Sequence, residues 1–127
     1  MILADTSVWV EFLRVNKNIY PIFKELIEQG EILAMECVFG ELLQGAKTTR
    51  ERNIILEYRK YLPKENEQGV WIDAGEFSIK NSLIEKGIGL IDCAIICFAR
   101  KNKAKIWSFD KKLLRVLADD EIFKIRE

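Results

Sequence analysis

The chain has 127 residues, 49% of them apolar and 31% charged, which suits one domain with a real core and excludes disorder or low complexity. Twenty basic and twenty acidic residues cancel, withholding the overall positive charge of a typical nucleic-acid binder. Histidine is absent, which excludes Ser-His-Asp and Cys-His triads and every imidazole metal site and leaves polar chemistry to carboxylates, Lys, Tyr, hydroxyls, thiols or a bound ion.

In chain order, Met1 to Ala4 reads as a short buried strand. Val8, Trp9, Phe12 and Leu13 then fall at helical spacing, so a strand feeds a helix with Asp5 at the junction. A second amphipathic helix is predicted from Ile19 to Ile27 and stopped by Gly30, with "EILAM" following as a strand or extended link. "ECVFGELLQGA" reads as helix. Thr48 and Glu51 have capping-box spacing and open a helix to about Tyr61, closed by Pro63. "KENEQG" is a polar loop inside one domain spanning residues 1–127 rather than a linker between two. "VWI" is predicted as a short strand, Asp73 with Glu76 as a cap, and helix from there to about Lys86, where "GIGL" breaks it. Helix from Asp92 to Asn102, a strand "AKIWSF" leading to Asp110, a short helix at Leu113 to Leu117 and a last strand at Ile122 to Ile125 complete the chain. This alternation predicts an α/β three-layer sandwich, a mainly parallel central sheet flanked by helices.

No apolar run approaches the roughly 20 residues that cross a bilayer, and the start lacks the pattern of a signal peptide, so a cytoplasmic protein without membrane contact is expected. Cys37, Cys93 and Cys97, odd in number and set among apolar residues, read as reduced core thiols. Trp9, Trp71 and Trp107 read as core for the same reason.

In open α/β sheets, ligands bind beyond the carboxyl ends of strands. Asp5 and Asp110 each take such a place, Asp92 begins the helix after "GIGLI", and Glu41 sits within a helix. Each has an ordinary structural use as turn, cap or solvated helix residue. Together they point further. Two carboxylates about 5 Å apart repel by about 3 kcal/mol at an effective dielectric near 20, so a convergent group of them calls for a cation. Oxygen ligands in a histidine-free chain favour Mg²⁺, with Mn²⁺ the alternative, and suit phosphodiester hydrolysis by metal-activated water.

These residues carry a family likeness over almost the whole chain. "LADTSVWVEFL", "VFGELLQGA" and "GLIDCAIICFARKNKAKIWSFD", in that order, resemble the acidic motifs of a PIN-domain ribonuclease, specifically a VapC-type toxin of a type II toxin–antitoxin system. The resemblance implies the same α/β sandwich and a Mg²⁺-dependent endoribonuclease with Asp5, Glu41, Asp92 and Asp110 as catalytic metal ligands. It implies supporting roles for Ser7 and Ser108, a homodimer, an RNA substrate and a cognate antitoxin covering the active-site groove. The chain departs from the family pattern where Ser108 replaces the commoner Thr and where Leu113 or Leu114 follows Asp110 in place of Phe. In this light the basic run from Arg100 to Arg115 gains a use, with Lys111, Lys112 and Arg115 as RNA contacts.

Three other readings compete. An RNA-processing nuclease of the family without an antitoxin would keep the same chemistry. A non-catalytic module binding RNA or a partner is disfavoured by the filled acidic positions, since a phosphate-binding surface gains nothing from converging negative charge. A receiver-like phosphoacceptor would need adjacent acidic residues after the first strand, and Asp5 stands alone there.

Overall fold

In the computed structural model, residues 1–125 are described. Ile2–Ala4 (β1) and Lys105–Trp107 (β2) pair in parallel, Leu3 opposite Ile106 and Ala4 opposite Trp107. Single parallel bridges widen the sheet: Ile32 joins Ile2 on one side, Ala34 joins Lys64 beyond it, and Ile122 joins Ile106 on the other side. Thus "EILAM" is an extended link whose alternate residues bond to different neighbours. Leu33 donates its amide to Ile2 (2.8 Å), while Ala34 donates to Pro63 (2.9 Å).

Seven helices stand among the described residues: Thr6–Leu13 (α1), Tyr20–Glu28 (α2), Glu36–Gln44 (α3), Thr49–Tyr61 (α4), Val70–Lys80 (α5), Leu90–Asn102 (α6) and Lys111–Arg115 (α7). The result is an α/β fold of parallel strands flanked by helices. Helix α1 packs against α2 and α3, α3 against α4, and α5 against α6. A parallel strand pair needs a long crossover, and here most of the chain lies between β1 and β2. The first residues and the last quarter of the chain therefore meet at the centre of the molecule.

Trp9, only 1% exposed, is the hub of the α1–α4 side. Its ring meets Phe23 at 4.7 Å, Phe39 at 5.2 Å, Tyr58 at 5.7 Å and Phe12 at 5.8 Å, the first, second and fourth edge-on. Trp107 is buried on β2, but Trp71 is 46% exposed, contrary to its expected core place. Of the thiols, Cys93 is buried while Cys37 and Cys97 are half-buried, and all are free. After Asp110, Leu113 is fully buried and Leu114 is half-buried.

Three expected elements differ. "VWI" opens α5 instead of forming a strand: Val70, Ala74 and Ser78 recur every fourth residue as its buried face, leaving Trp71 and Ile72 outside. Asp73 is consequently inside the helix, its amide bonded to the Gly69 carbonyl, and the cap position falls to Gly69, whose φ of +79° suits glycine. The helix ends at Lys80, short of Lys86, where Asn81 returns its side-chain amide to the Phe77 carbonyl (3.0 Å). Finally, Ile122 makes one bridge rather than opening a strand to Ile125, because a 3₁₀ turn at Asp119–Glu121 delivers the chain to the sheet edge for a single contact.

The Thr48 cap forms as expected on one side, its hydroxyl accepting from the Glu51 amide (3.1 Å), while the Glu51 carboxylate accepts from the Lys47 amide (2.6 Å). Thr48→Ala should therefore cost about 1 kcal/mol of stability, measurable as a lower urea midpoint with unchanged slope.

Candidate active site

The parallel register sets the site. Since Ala4 pairs with Trp107 and Asp5 donates its amide to the Trp107 carbonyl (3.0 Å), the next residues along, Asp5 and Ser108, lie side by side. Asp5 is 6% exposed and caps α1, accepting from the Val8 amide at 3.3 Å and the Ser7 hydroxyl at 2.6 Å. The Ser108 hydroxyl donates to its other oxygen. Burial nonetheless outweighs these donors and raises the Asp5 carboxyl above the usual range.

The two serines also tie the strand ends together. Ser7 accepts from the Phe109 amide (3.1 Å) and Ser108 from the Asp110 amide (3.0 Å). Asp110 in turn caps α7, accepting from the Lys112 amide (2.9 Å). Glu41, on α3, is held by the Thr6 hydroxyl at 2.7 Å. Thr6 was not singled out in the sequence, although its place in "DTS" beside Asp5 was the available signal.

Asp92 lies in the first turn of α6 and its carboxyl is pushed up to about 6. Burial is the largest cause, followed by the negative charges of Asp110, Asp5 and Glu41. Four carboxylates from distant parts of the chain thus act on one region. Among the described residues, no three acidic or thiol side chains stand as a ready ligand group for one ion. The donor set, carboxylate and hydroxyl oxygens without imidazole, fits a hard divalent cation, and the mutual repulsion felt at Asp92 is the kind of field such a cation relieves.

A stability prediction follows for Asp92. In EDTA, the folded chain keeps the Asp92 proton up to about pH 6 while the unfolded chain releases it near the ordinary 3.8. The folded state binds more protons in between, so stability falls as pH rises through that window and levels off above it. Full transmission would be worth about 3 kcal/mol, and screening of this part-exposed group brings the expected loss to about 1–2 kcal/mol. Asp92→Asn should remove that loss, making the variant more stable than the parent at pH 7; equal urea midpoints would contradict the crowded geometry.

The basic residues named from the sequence lie on α7 and are exposed. Lys112 and Arg115 line a common cavity, whereas Lys111 lies outside its lining. A separate groove of about 450 Å³ between α1, α3 and α4 has Thr6 and Glu41 in its wall beside Val10, Leu13, Leu42 and Ile54.

At the carboxyl ends of the parallel strands stand Asp5, buried and braced by two serine hydroxyls, and Asp110, exposed and capping α7, with Asp92 and Glu41 supplied by neighbouring helices of an α/β protein. The profile of the family described as PIN domain matches residues 2–118, and the chain belongs to that family, whose members are generally nucleases. A search of curated proteins found no significant match. Among the described residues, no helix is long and apolar enough to cross a membrane.

Proposed function

We propose that this PIN-domain protein is a Mg²⁺-dependent endoribonuclease and the cytoplasmic toxin component of a VapBC-type pair. The observation that supports the nuclease reading is the pair of strand ends that sets Asp5, braced by Ser7 and Ser108, beside Asp110, together with an Asp92 carboxyl raised first by burial and then by the charges of Asp110, Asp5 and Glu41. Asp5, Glu41, Asp92 and Asp110 would hold Mg²⁺, with Mn²⁺ as a substitute. When bound, the ion supplies an activated water and neutralises charge on the phosphate.

The chain's own groups prepare the site. Ser7 and Ser108 fix the Asp5 carboxylate from both sides, and Thr6 fixes Glu41. The Lys112 amide orients Asp110. Asp92, whose carboxyl is pushed up to about 6 by burial and by the neighbouring negative charges, would be the candidate to take a proton at the site.

The toxin assignment draws support from the groove beside Glu41, where Val10, Leu13, Leu42 and Ile54 offer an apolar bed for an antitoxin segment. Exposed Trp71, Ile72 and Ile79 on α5 support a homodimer. The metal requirement is tested by incubating structured RNAs with the protein and Mg²⁺, then with EDTA in excess. Cleavage should stop on chelation and return with Mg²⁺ or Mn²⁺; cleavage that continues in EDTA would overturn the mechanism.

A further inference from the structure

Away from the carboxylates, four cations from three separate segments surround one cavity of about 600 Å³: Lys86 from the turn 81–88, Arg100 from α6, and Lys112 and Arg115 from α7. Arg100 is already engaged. Its guanidinium makes two hydrogen bonds to the Glu121 carboxylate, at 2.7 and 3.1 Å, and lies 5.2 Å from the Phe77 ring centre. For Lys86, Lys112 and Arg115, no carboxylate among the described residues stands within ion-pair distance. Among the described residues, three positive charges without an ion-pair partner therefore line one concavity, an arrangement that repels itself and that an anion relieves.

The cavity is joined to the acidic site through a single residue. The Lys112 amide holds the Asp110 carboxylate at 2.9 Å, while its aliphatic chain and ammonium lie across Gly87. A Cβ at Gly87 would come within 3.3 Å of Lys112 Nζ, and the φ of +76° there favours glycine, so the turn is shaped to let the lysine cross it. Lys112 thus belongs to both places, its amide at Asp110 and its side chain in the wall of the cavity.

We propose that this cavity is a phosphate subsite, holding the backbone of the RNA strand next to the phosphodiester to be cut. The proposal rests on the nuclease reading for the identity of the strand. The acidic site repels the phosphate chain it must act on, and Lys86, Lys112 and Arg115 supply the attraction from the cavity that Lys112 shares with Asp110's helix cap. A regularly charged backbone spans both places, whereas a single small anion would use only the cavity. Lys86 becomes part of the binding surface although it is far in sequence from α7.

The test measures binding of a short fluorescent single-stranded RNA by anisotropy in EDTA over a range of salt, and cleavage separately in Mg²⁺. Lys86→Gln and Arg115→Gln should each weaken binding about 3–10-fold and lower the slope of log affinity against log salt by about 0.7. Lys60→Gln, on exposed α4, should change affinity less than about twofold and serves as the control for net charge. In cleavage, the two cavity variants should raise KM while kcat at saturating RNA is kept. Wild-type binding by Lys86→Gln and Arg115→Gln, an equal loss in Lys60→Gln, or no RNA binding by the parent chain would each overturn the subsite. A parent chain that binds with the expected slope yet never cleaves would leave the subsite standing and remove the nuclease reading; cleavage with unchanged binding by the variants would do the reverse.

Discussion

Asp5→Asn is expected to lower Mg²⁺-dependent RNA cleavage by roughly a thousandfold or more, the equivalent of several kcal/mol of lost metal-borne transition-state stabilisation, without unfolding the protein. Asparagine matches aspartate in shape and keeps one carbonyl oxygen to accept from the Ser7 hydroxyl and the Val8 amide. On the other side, its amide nitrogen meets Ser108, whose hydroxyl can turn to accept. The folded state also sheds a charge that burial disfavours, since Asp5 holds its proton more tightly than an ordinary aspartate. By the same proton linkage as at Asp92, a raised carboxyl weakens the fold once ionised, so Asp5→Asn at neutral pH in EDTA should be at least as stable as the parent. Thermal unfolding and cleavage rates measured together decide the matter. Substantial cleavage by a folded Asp5→Asn variant would remove Asp5 from the chemistry, and a large fall in Tm would show the carboxylate to be structural.

The largest effect on stability is expected at Trp9. Trp9→Ala should cost about 3–5 kcal/mol, because a fully buried indole is removed from contact with aromatic rings of α1, α2, α3 and α4 and the rigid surroundings cannot close the space. For a domain stable by about 5–15 kcal/mol, that is a large share of the total. Trp9→Phe retains a ring and should lose less than half as much, which keeps the measurement useful if Trp9→Ala fails to fold. Unfolding free energies from urea melts within about 1 kcal/mol of the parent for both variants would mean the cluster is loosely packed. The cluster matters to the site as well, since α1 carries Thr6 and Ser7 at one end and Trp9 and Phe12 along its buried side.

How far the chain could be read varied with the range of the interaction involved. Helices α1 to α4 were legible because their apolar spacing and the Thr48 cap are local signals. The "VWI" stretch misled because three apolar residues have no measurable period, and only packing of Val70 and Ala74 toward α6 resolves them as helix. The final strand was overread for a related reason: Ile122 to Ile125 has strand composition, but sheet membership depends on which neighbour offers a free edge.

Local order along the chain thus determined the α/β class, the absence of histidine chemistry and the placement of Asp5 and Asp110 after strands. Tertiary structure alone decided that Ser108 braces Asp5 across 103 residues, that Thr6 holds Glu41 across 35, and that Lys86 faces the same space as Arg115. Periodicity records which side of an element meets the core. Which residues of different elements meet each other depends on strand register and helix packing, and no single segment contains that information.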